Sequence, residues 1–293
     1  MITCNNFKLF FFFLIAAIVL ASCSENSEQL NLPNLELLDS SITNVDFNNL
    51  LDDDPEGDRN VLSFPHYYNG SGTAAADFDN DGLVDLFFTG NEVNNKIYKN
   101  LGNMKFEDRT NTANVNKGKI WASGVSIVDI NNDNLPDIYV SQCGPTTDPN
   151  MRKNLFYINK GNFVFEESAA KMGLADGNIG TQAVFIDYDK DGDLDVYLLN
   201  ESKYVLVIFA KIFEDLKDKN TLRENSGKFY RNNGDNTFTD ITEKAGLLDH
   251  SFGLGVAVSD FNNDNYPDIY VANDYSVPDK IYINQKDGTF KDE

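Results

Sequence analysis

Short apolar runs recur in a fixed order along most of the chain. Each unit opens on small or β-branched residues that end in aspartate: Thr73-Ala74-Ala75-Ala76-Asp77, Gly124-Val125-Ser126-Ile127-Val128-Asp129, Gln182-Ala183-Val184-Phe185-Ile186-Asp187 and Gly255-Val256-Ala257-Val258-Ser259-Asp260. After a polar loop comes a second run: Leu86-Phe87-Phe88, Ile138-Tyr139-Val140, Val196-Tyr197-Leu198 or Ile269-Tyr270-Val271. A third follows in Lys96-Ile97-Tyr98-Lys99-Asn100, Asn154-Leu155-Phe156-Tyr157-Ile158-Asn159, Lys228-Phe229-Tyr230-Arg231-Asn232 and Lys280-Ile281-Tyr282-Ile283-Asn284. A glycine turn and a fourth short run, around Phe106, Phe165, Phe238 and Phe290, close each unit. The runs are β-branched, aromatic and too short for helices, so they predict strands, four to a repeat. The opening aspartates lie 52, 58 and 73 residues apart, which suits a blade of four short strands with its loops. The pattern therefore predicts an all-β fold over residues 61–293, a β-propeller with four repeats visible, each blade of four antiparallel strands. The long third interval contains residues 204–217, whose later part has helical spacing; it predicts a partly helical insertion packed on the third blade.

Upstream the pattern changes twice. Lys8 precedes a twelve-residue apolar run from Leu9 to Leu20, too short to cross a bilayer but suited to an export signal. Leu20-Ala21-Ser22-Cys23 resembles the lipobox of bacterial lipoproteins. Residues 1–22 are thus expected to be a lipoprotein signal peptide and Cys23 the lipid-bearing residue, with an ordinary secretory signal as the alternative. Residues 23–60 are rich in Asn, Asp, Ser and Glu, keep no period, and predict a polar tether with at most one weak helical turn.

Cysteine usage fits export without disulfides: Cys4 and Cys23 belong to the leader, leaving Cys143 alone and expected as a small buried apolar residue. The formal charge of −22, from 46 acidic and 24 basic residues, disfavours nucleic acid as a partner. The acids are not evenly spread. They cluster in Asp77-Phe78-Asp79-Asn80-Asp81-Gly82-Leu83-Val84-Asp85, Asp129-Ile130-Asn131-Asn132-Asp133-Asn134-Leu135-Pro136-Asp137, Asp187-Tyr188-Asp189-Lys190-Asp191-Gly192-Asp193-Leu194-Asp195 and Asp260-Phe261-Asn262-Asn263-Asp264-Asn265-Tyr266-Pro267-Asp268.

Every copy carries oxygen side chains at positions 1, 3, 5 and 9. A hard cation such as Ca2+ takes six to eight oxygens, and alternate residues of a curled loop supply them. The expected side-chain ligands are Asp77, Asp79, Asp81 and Asp85; Asp129, Asn131, Asp133 and Asp137; Asp187, Asp189, Asp191 and Asp195; and Asp260, Asn262, Asp264 and Asp268. Position 7 would add a backbone carbonyl from Leu83, Leu135, Asp193 or Tyr266. Position 6 is Gly82, Asn134, Gly192 or Asn265, the two residue types that best tolerate left-handed backbone. An EF-hand would place Glu at position 12; here position 12 is Phe88, Val140, Leu198 or Val271, so the position-9 aspartate must close the loop. Up to four Ca2+ ions are expected, held more weakly in the loops with Asn131 and Asn262. Turn-forming Asp and Asn without metal are the alternative.

On these loops the sequence resembles the FG-GAP/VCBS repeat family, the calcium-loop blades shared with integrin α-subunit propellers. The resemblance implies a propeller of about seven blades with calcium in the hairpin between the first two strands of each. Phe252-Gly253 fits the integrin-type signature, whereas Gly255-Val256-Ala257 stands where Gly-Ala-Pro belongs, so integrin ligand specificity does not transfer. Trp121-Ala122-Ser123-Gly124-Val125, Thr181-Gln182-Ala183 and Gly253-Leu254-Gly255-Val256 are more similar to bacterial lipoproteins that carry such repeats ahead of an ASPIC/UnbV domain. The final phrase, Phe290-Lys291-Asp292-Glu293, breaks off where Phe238-Thr239-Asp240-Ile241-Thr242 continues, which reads as the N-terminal part of a longer protein; a closed four-blade ring is the alternative.

The expected function is a calcium-stabilised binding or scaffolding module, exported and lipid-anchored at a bacterial outer membrane or cell surface, with a polysaccharide or protein ligand. No catalytic residue is expected: the two histidines, His66 and His250, lie in unrelated segments, and no nucleophile, zinc or phosphate motif is visible. A propeller-based polysaccharide-active enzyme and a spacer for a further C-terminal domain are the alternatives.

Overall fold

The computed structural model describes residues 36–293 apart from 58, 117, 119–120, 145, 147, 204–216 and 275–276. The leader, Cys23, the start of the expected tether and nearly all of the expected insertion lie outside the described residues. The chain divides into two compact units, 1–38 and 39–293, and every described strand belongs to the second.

The expected strands form four separate antiparallel sheets, each a simple meander. Blade 1 is β1 (Thr73–Ala76), β2 (Asp85–Phe88), β3 (Lys96–Asn100) and β4 (Phe106–Asp108). Blade 2 is β5 (Ala122–Val128), β6 (Asp137–Gln142), β7 (Leu155–Asn159) and β8 (Phe165–Glu167). Blade 3 is β9 (Ile179–Ile186), β10 (Asp195–Glu201), β11 (Lys228–Asn232) and β12 (Phe238–Asp240). Blade 4 is β13 (Gly253–Ser259), β14 (Asp268–Asn273), β15 (Lys280–Asn284) and β16 (Phe290–Asp292). These are β-propeller blades, and the strand boundaries fall within a few residues of those the apolar runs predict.

Consecutive sheets bury apolar faces against one another. Phe78, Phe87 and Ile97 of blade 1 share a core with Ile138, Val140 and Tyr157 of blade 2. Ile130, Tyr139 and Phe156 pack with Val196, Leu198 and Tyr230. Tyr188, Tyr197 and Phe229 pack with Ile269, Val271 and Tyr282. Small residues let the inner strands converge. A Cβ added at Gly124 of β5 would lie 2.5 Å from the Thr181 carbonyl of β9, and Ser126 Oγ donates across the same seam to the Ala183 carbonyl at 2.7 Å.

The two flanks of the array differ. On blade 1, the described part of the segment expected as a tether is tied down. Asp46 accepts from Lys96 Nζ and the Tyr98 hydroxyl at 2.8 and 2.7 Å, Phe47 stacks on Phe88 at 5.1 Å, and Asn49 exchanges two 2.8 Å hydrogen bonds with Asn91. Just before these contacts lies the one weak turn of helix the sequence suggests, Ser40–Thr43, capped by Asp39. On blade 4 the equivalent of buried Ile97, Phe156 and Phe229 is Ile281, which is 38% exposed.

Candidate metal centre

The nine-residue loops join the first two strands of every blade, and the fourfold repetition is kept at the level of single hydrogen bonds. The position-9 aspartates are buried at the head of the second strand. One oxygen of Asp85, Asp137, Asp195 and Asp268 accepts the backbone N–H of Asn100, Asn159, Asn232 and Asn284 at 2.7, 2.7, 2.8 and 2.8 Å. The other accepts the N–H of the loop's second residue, Phe78, Ile130, Tyr188 or Phe261, at 2.9, 3.1, 3.4 and 2.9 Å. The carboxylate thus ties the loop and the third strand to the second before any cation is considered.

The position-5 aspartates Asp81, Asp133, Asp191 and Asp264 each accept the amide of position 7, from Leu83, Leu135, Asp193 and Tyr266, at 2.9 Å. Position 6 is left-handed throughout, with φ of 87°, 66°, 95° and 68° at Gly82, Asn134, Gly192 and Asn265, as the choice of Gly or Asn predicts. Position 4 is left-handed as well, at Asn80, Asn132, Lys190 and Asn263. That second reversal is visible beforehand only as an asparagine in three copies of four.

In two loops the carboxylates converge. Oxygens of Asp77, Asp79 and Asp85 lie within 4.8 Å of one another, and so do those of Asp187, Asp189 and Asp195. Asp79 Oδ1 and Asp187 Oδ1 are buried there without a hydrogen-bond partner among the described residues. An ionised carboxylate oxygen can only accept, so each orphan calls for a cation or a donor. Burial, aided by neighbouring carboxylates, pushes Asp195 up to about 7 and Asp85 up to about 6. This donor set fits a hard divalent cation.

The loops of blades 2 and 4 solve the same problem internally. Asn131 Nδ2 donates to Asp133 Oδ2 and Asn262 Nδ2 to Asp264 Oδ2, both at 2.9 Å. Asp129 and Asp260 each accept two loop amides, at 3.0 and 2.8 Å and at 2.9 and 2.7 Å, as Asp77 also does at 3.0 and 2.7 Å, so the difference lies at position 3. Burial still raises Asp137 to about 6.

A residue absent from the expected ligand sets enters the first loop. Lys99, from β3, places Nζ against Asp79 Oδ2 and 2.6 Å from Asp81 Oδ2. The pairing raises the lysine pKa against the opposing effect of burial, and with backbone help it lowers that of Asp81. Aligning the third strands exposes the signal: Lys99 and Arg231 accompany Asp79 and Asp189, whereas Ile158 and Ile283 accompany Asn131 and Asn262. A basic residue is present where the loop has its extra carboxylate.

The FG-GAP-like repeat family model matches residues 77–140 and 218–271. Cartilage acidic protein 1 of Homo sapiens and that of Mus musculus are each 26% identical to this chain over 234 residues, covering 73% of it and 32% of the relative. The chain spans about a third of the length of the curated relatives it matches. Four meander sheets of one plan, a repeated aspartate loop after each first strand and the two matched regions lead to one assignment: residues 77–140 and 218–271 of this chain are FG-GAP-like repeats.

Proposed function

We propose that this chain is an extracytoplasmic binding module whose blades are stabilised by Ca2+, held at a bacterial envelope through a lipid on Cys23, and not an enzyme. The observation that carries the calcium reading is the pair of orphaned carboxylate oxygens, Asp79 Oδ1 and Asp187 Oδ1, in the two loops where three aspartates converge. A cation held there would add positive charge beside buried Asp195, and beside Asp85 more than Lys99 alone provides. The chain's own part is to fix the loop: position 9 locks it to β3 or β11, position 5 accepts the amide of position 7, and position 6 reverses it.

The binding role is supported by the format, a rigid array of blades with long loops at the strand ends. The non-enzymatic reading is supported by the state of the candidate groups. Burial pushes the Cys143 thiol up to about 12, far from a thiolate nucleophile. It also lowers the pKa of His250, which packs edge-on against Phe252 at 4.8 Å.

The test is thermal unfolding of the full chain, calcium-depleted and then with calcium restored. A site filled to ten times its dissociation constant adds about 1.4 kcal/mol, so two filled sites should raise the midpoint by about 5–10 °C. An unchanged midpoint removes the calcium reading. Recovery of a diacylated peptide beginning at Cys23 from membranes tests the anchor separately.

A further inference from the structure

The sequence phrases around Trp121, Thr181 and Gly253, which take no part in the aspartate loops, converge on one cavity. They lie at the other end of the first strands, where β5, β9 and β13 begin, and the first hairpins of blades 2, 3 and 4 each carry a register shift there. The cavity, of about 140 Å³, is walled by Trp121, Ser123, Thr181, Leu254, His66 and Glu201. It thus draws on three blades and on the segment that precedes blade 1.

Its polar chemistry is incompletely matched. Ser123 Oγ donates to the Gly180 carbonyl at 2.6 Å, and Thr181 Oγ1 to the Gly253 carbonyl at 3.0 Å, so both hydroxyl hydrogens are used across blade seams. The Asn69 amide lies 3.0 Å from His66 Nδ1. Because that amide can only donate, Nδ1 accepts and Nε2 carries the ring hydrogen. His66 Nε2 faces Glu201 Oε2 at 2.7 Å, the distance of an ion pair, but out of line for a hydrogen bond. Glu201 is 4% exposed, and its Oε1 also has no partner among the described residues. Unmatched buried polar atoms are costly. Here a carboxylate oxygen is unmatched beside a poorly aligned donor, and the indole of Trp121 lines the same cavity.

We propose that this cavity binds a hydroxyl-bearing edge of a neutral carbohydrate. A hydroxyl can accept from His66 Nε2–H and donate to Glu201 Oε1 through one atom. An ammonium would face the imidazole N–H donor to donor, and a carboxylate would face Glu201, so charged groups are each opposed by one partner. The volume is below the roughly 300–1,000 Å³ of a drug-sized site, which limits the occupant to part or all of one sugar ring, its apolar face toward Trp121. This inference deepens the binding-module reading and rests on it, but not on calcium.

Trp121 is the sole tryptophan of the chain, so intrinsic fluorescence reports on the cavity directly. The full chain is titrated with galactose, mannose and N-acetylglucosamine, and with glucosamine and glucuronate as charged counterparts. A saturable fluorescence change is expected with at least one neutral sugar, with both charged sugars about tenfold weaker or worse. Glu201→Gln and His66→Phe should each weaken the neutral sugar about tenfold, the scale of one lost hydrogen bond to a charged or buried group, while leaving the calcium-induced thermal shift intact. No saturable change with any neutral sugar, equal binding by the two variants, or preference for a charged sugar overturns the proposal and leaves a cavity that holds water. If a variant unfolds, the neutral-against-charged comparison on the unaltered chain decides alone. The calcium-induced shift is read in the same samples, so loss of sugar binding and loss of the calcium reading are told apart.

Discussion

The aspartate loops of blades 1 and 3 and the asparagine loops of blades 2 and 4 fold on the same backbone and differ in how they settle their charge. All four keep the position-9 carboxylate between two backbone amides and the left-handed residues at positions 4 and 6. With asparagine at position 3, the loop closes on its own side-chain amide. With aspartate there, buried oxygens are left over, and a basic residue appears on the third strand, Lys99 or Arg231. The repeat backbone and the charge balance of its loop are therefore separable: position 9 ties the strands together in all four loops, and the loops with aspartate at position 3 are the ones left with a buried, unmatched carboxylate oxygen.

The largest effect expected bears on the shared part. Asp137→Ala, in an asparagine loop, strips the partners from the buried amides of Ile130 and Asn159 and should cost about 2–5 kcal/mol in denaturant unfolding even without calcium. A comparable loss, about 3–5 kcal/mol, is expected for Phe78→Ala, whose ring fills the seam between blades 1 and 2. Phe261→Ala at the same loop position should cost less than about 1 kcal/mol, because Phe261 is 45% exposed. Equal costs for the two phenylalanines would remove the distinction between the covered seam and the open flank.

An intermediate effect is expected from pH. In the calcium-depleted chain Asp85, Asp137 and Asp195 titrate near 6, 6 and 7, above the ordinary carboxylate value of 3.8. The folded state therefore binds more protons than the unfolded state between those limits. The stability these groups contribute is complete below about pH 4 and is lost as pH rises through 6–7. Bound calcium requires the ionised carboxylates, so the calcium-induced rise in midpoint should grow over the same window. A calcium increment independent of pH from 5 to 7.5 would contradict the placement of these aspartates at the cation.

The smallest effect concerns the first loop alone. Lys99→Met removes the ammonium that bridges Asp79 and Asp81 and should tighten calcium at that loop a few-fold, read by calorimetry. Weaker binding would mean that Lys99 organises the loop rather than competes for it.

Much of this was legible in the sequence. The apolar runs place the sixteen described strands, and Gly82, Asn134, Gly192 and Asn265 locate the reversal at position 6. Candidate ligands Asp77, Asp79 and Asp85 do meet, as do Asp187, Asp189 and Asp195. Less legible was anything that depends on two repeats or two distant segments at once. Lys99 reaches its loop from 18 residues beyond Asp81, and the link emerges only when the third strands are aligned. His66 meets Glu201 across most of the array, and no local pattern announces a pair made by a segment outside the repeat. Residues 46–49 read as tether because their few contacts with blade 1, through Asp46, Phe47 and Asn49, follow no period.

Calorimetric titration of calcium into the depleted full chain, alongside Asp187→Asn and Asp260→Asn, separates the two kinds of loop. The third loop has converging carboxylates, an orphaned oxygen and, among the described residues, no lysine bridge like that of Lys99. It should therefore fill first, and Asp187→Asn should abolish the tightest binding step while Asp260→Asn leaves it in place. If Asp187→Asn leaves that step unchanged, or if Asp260→Asn abolishes it instead, the cation demand does not lie in the aspartate loops.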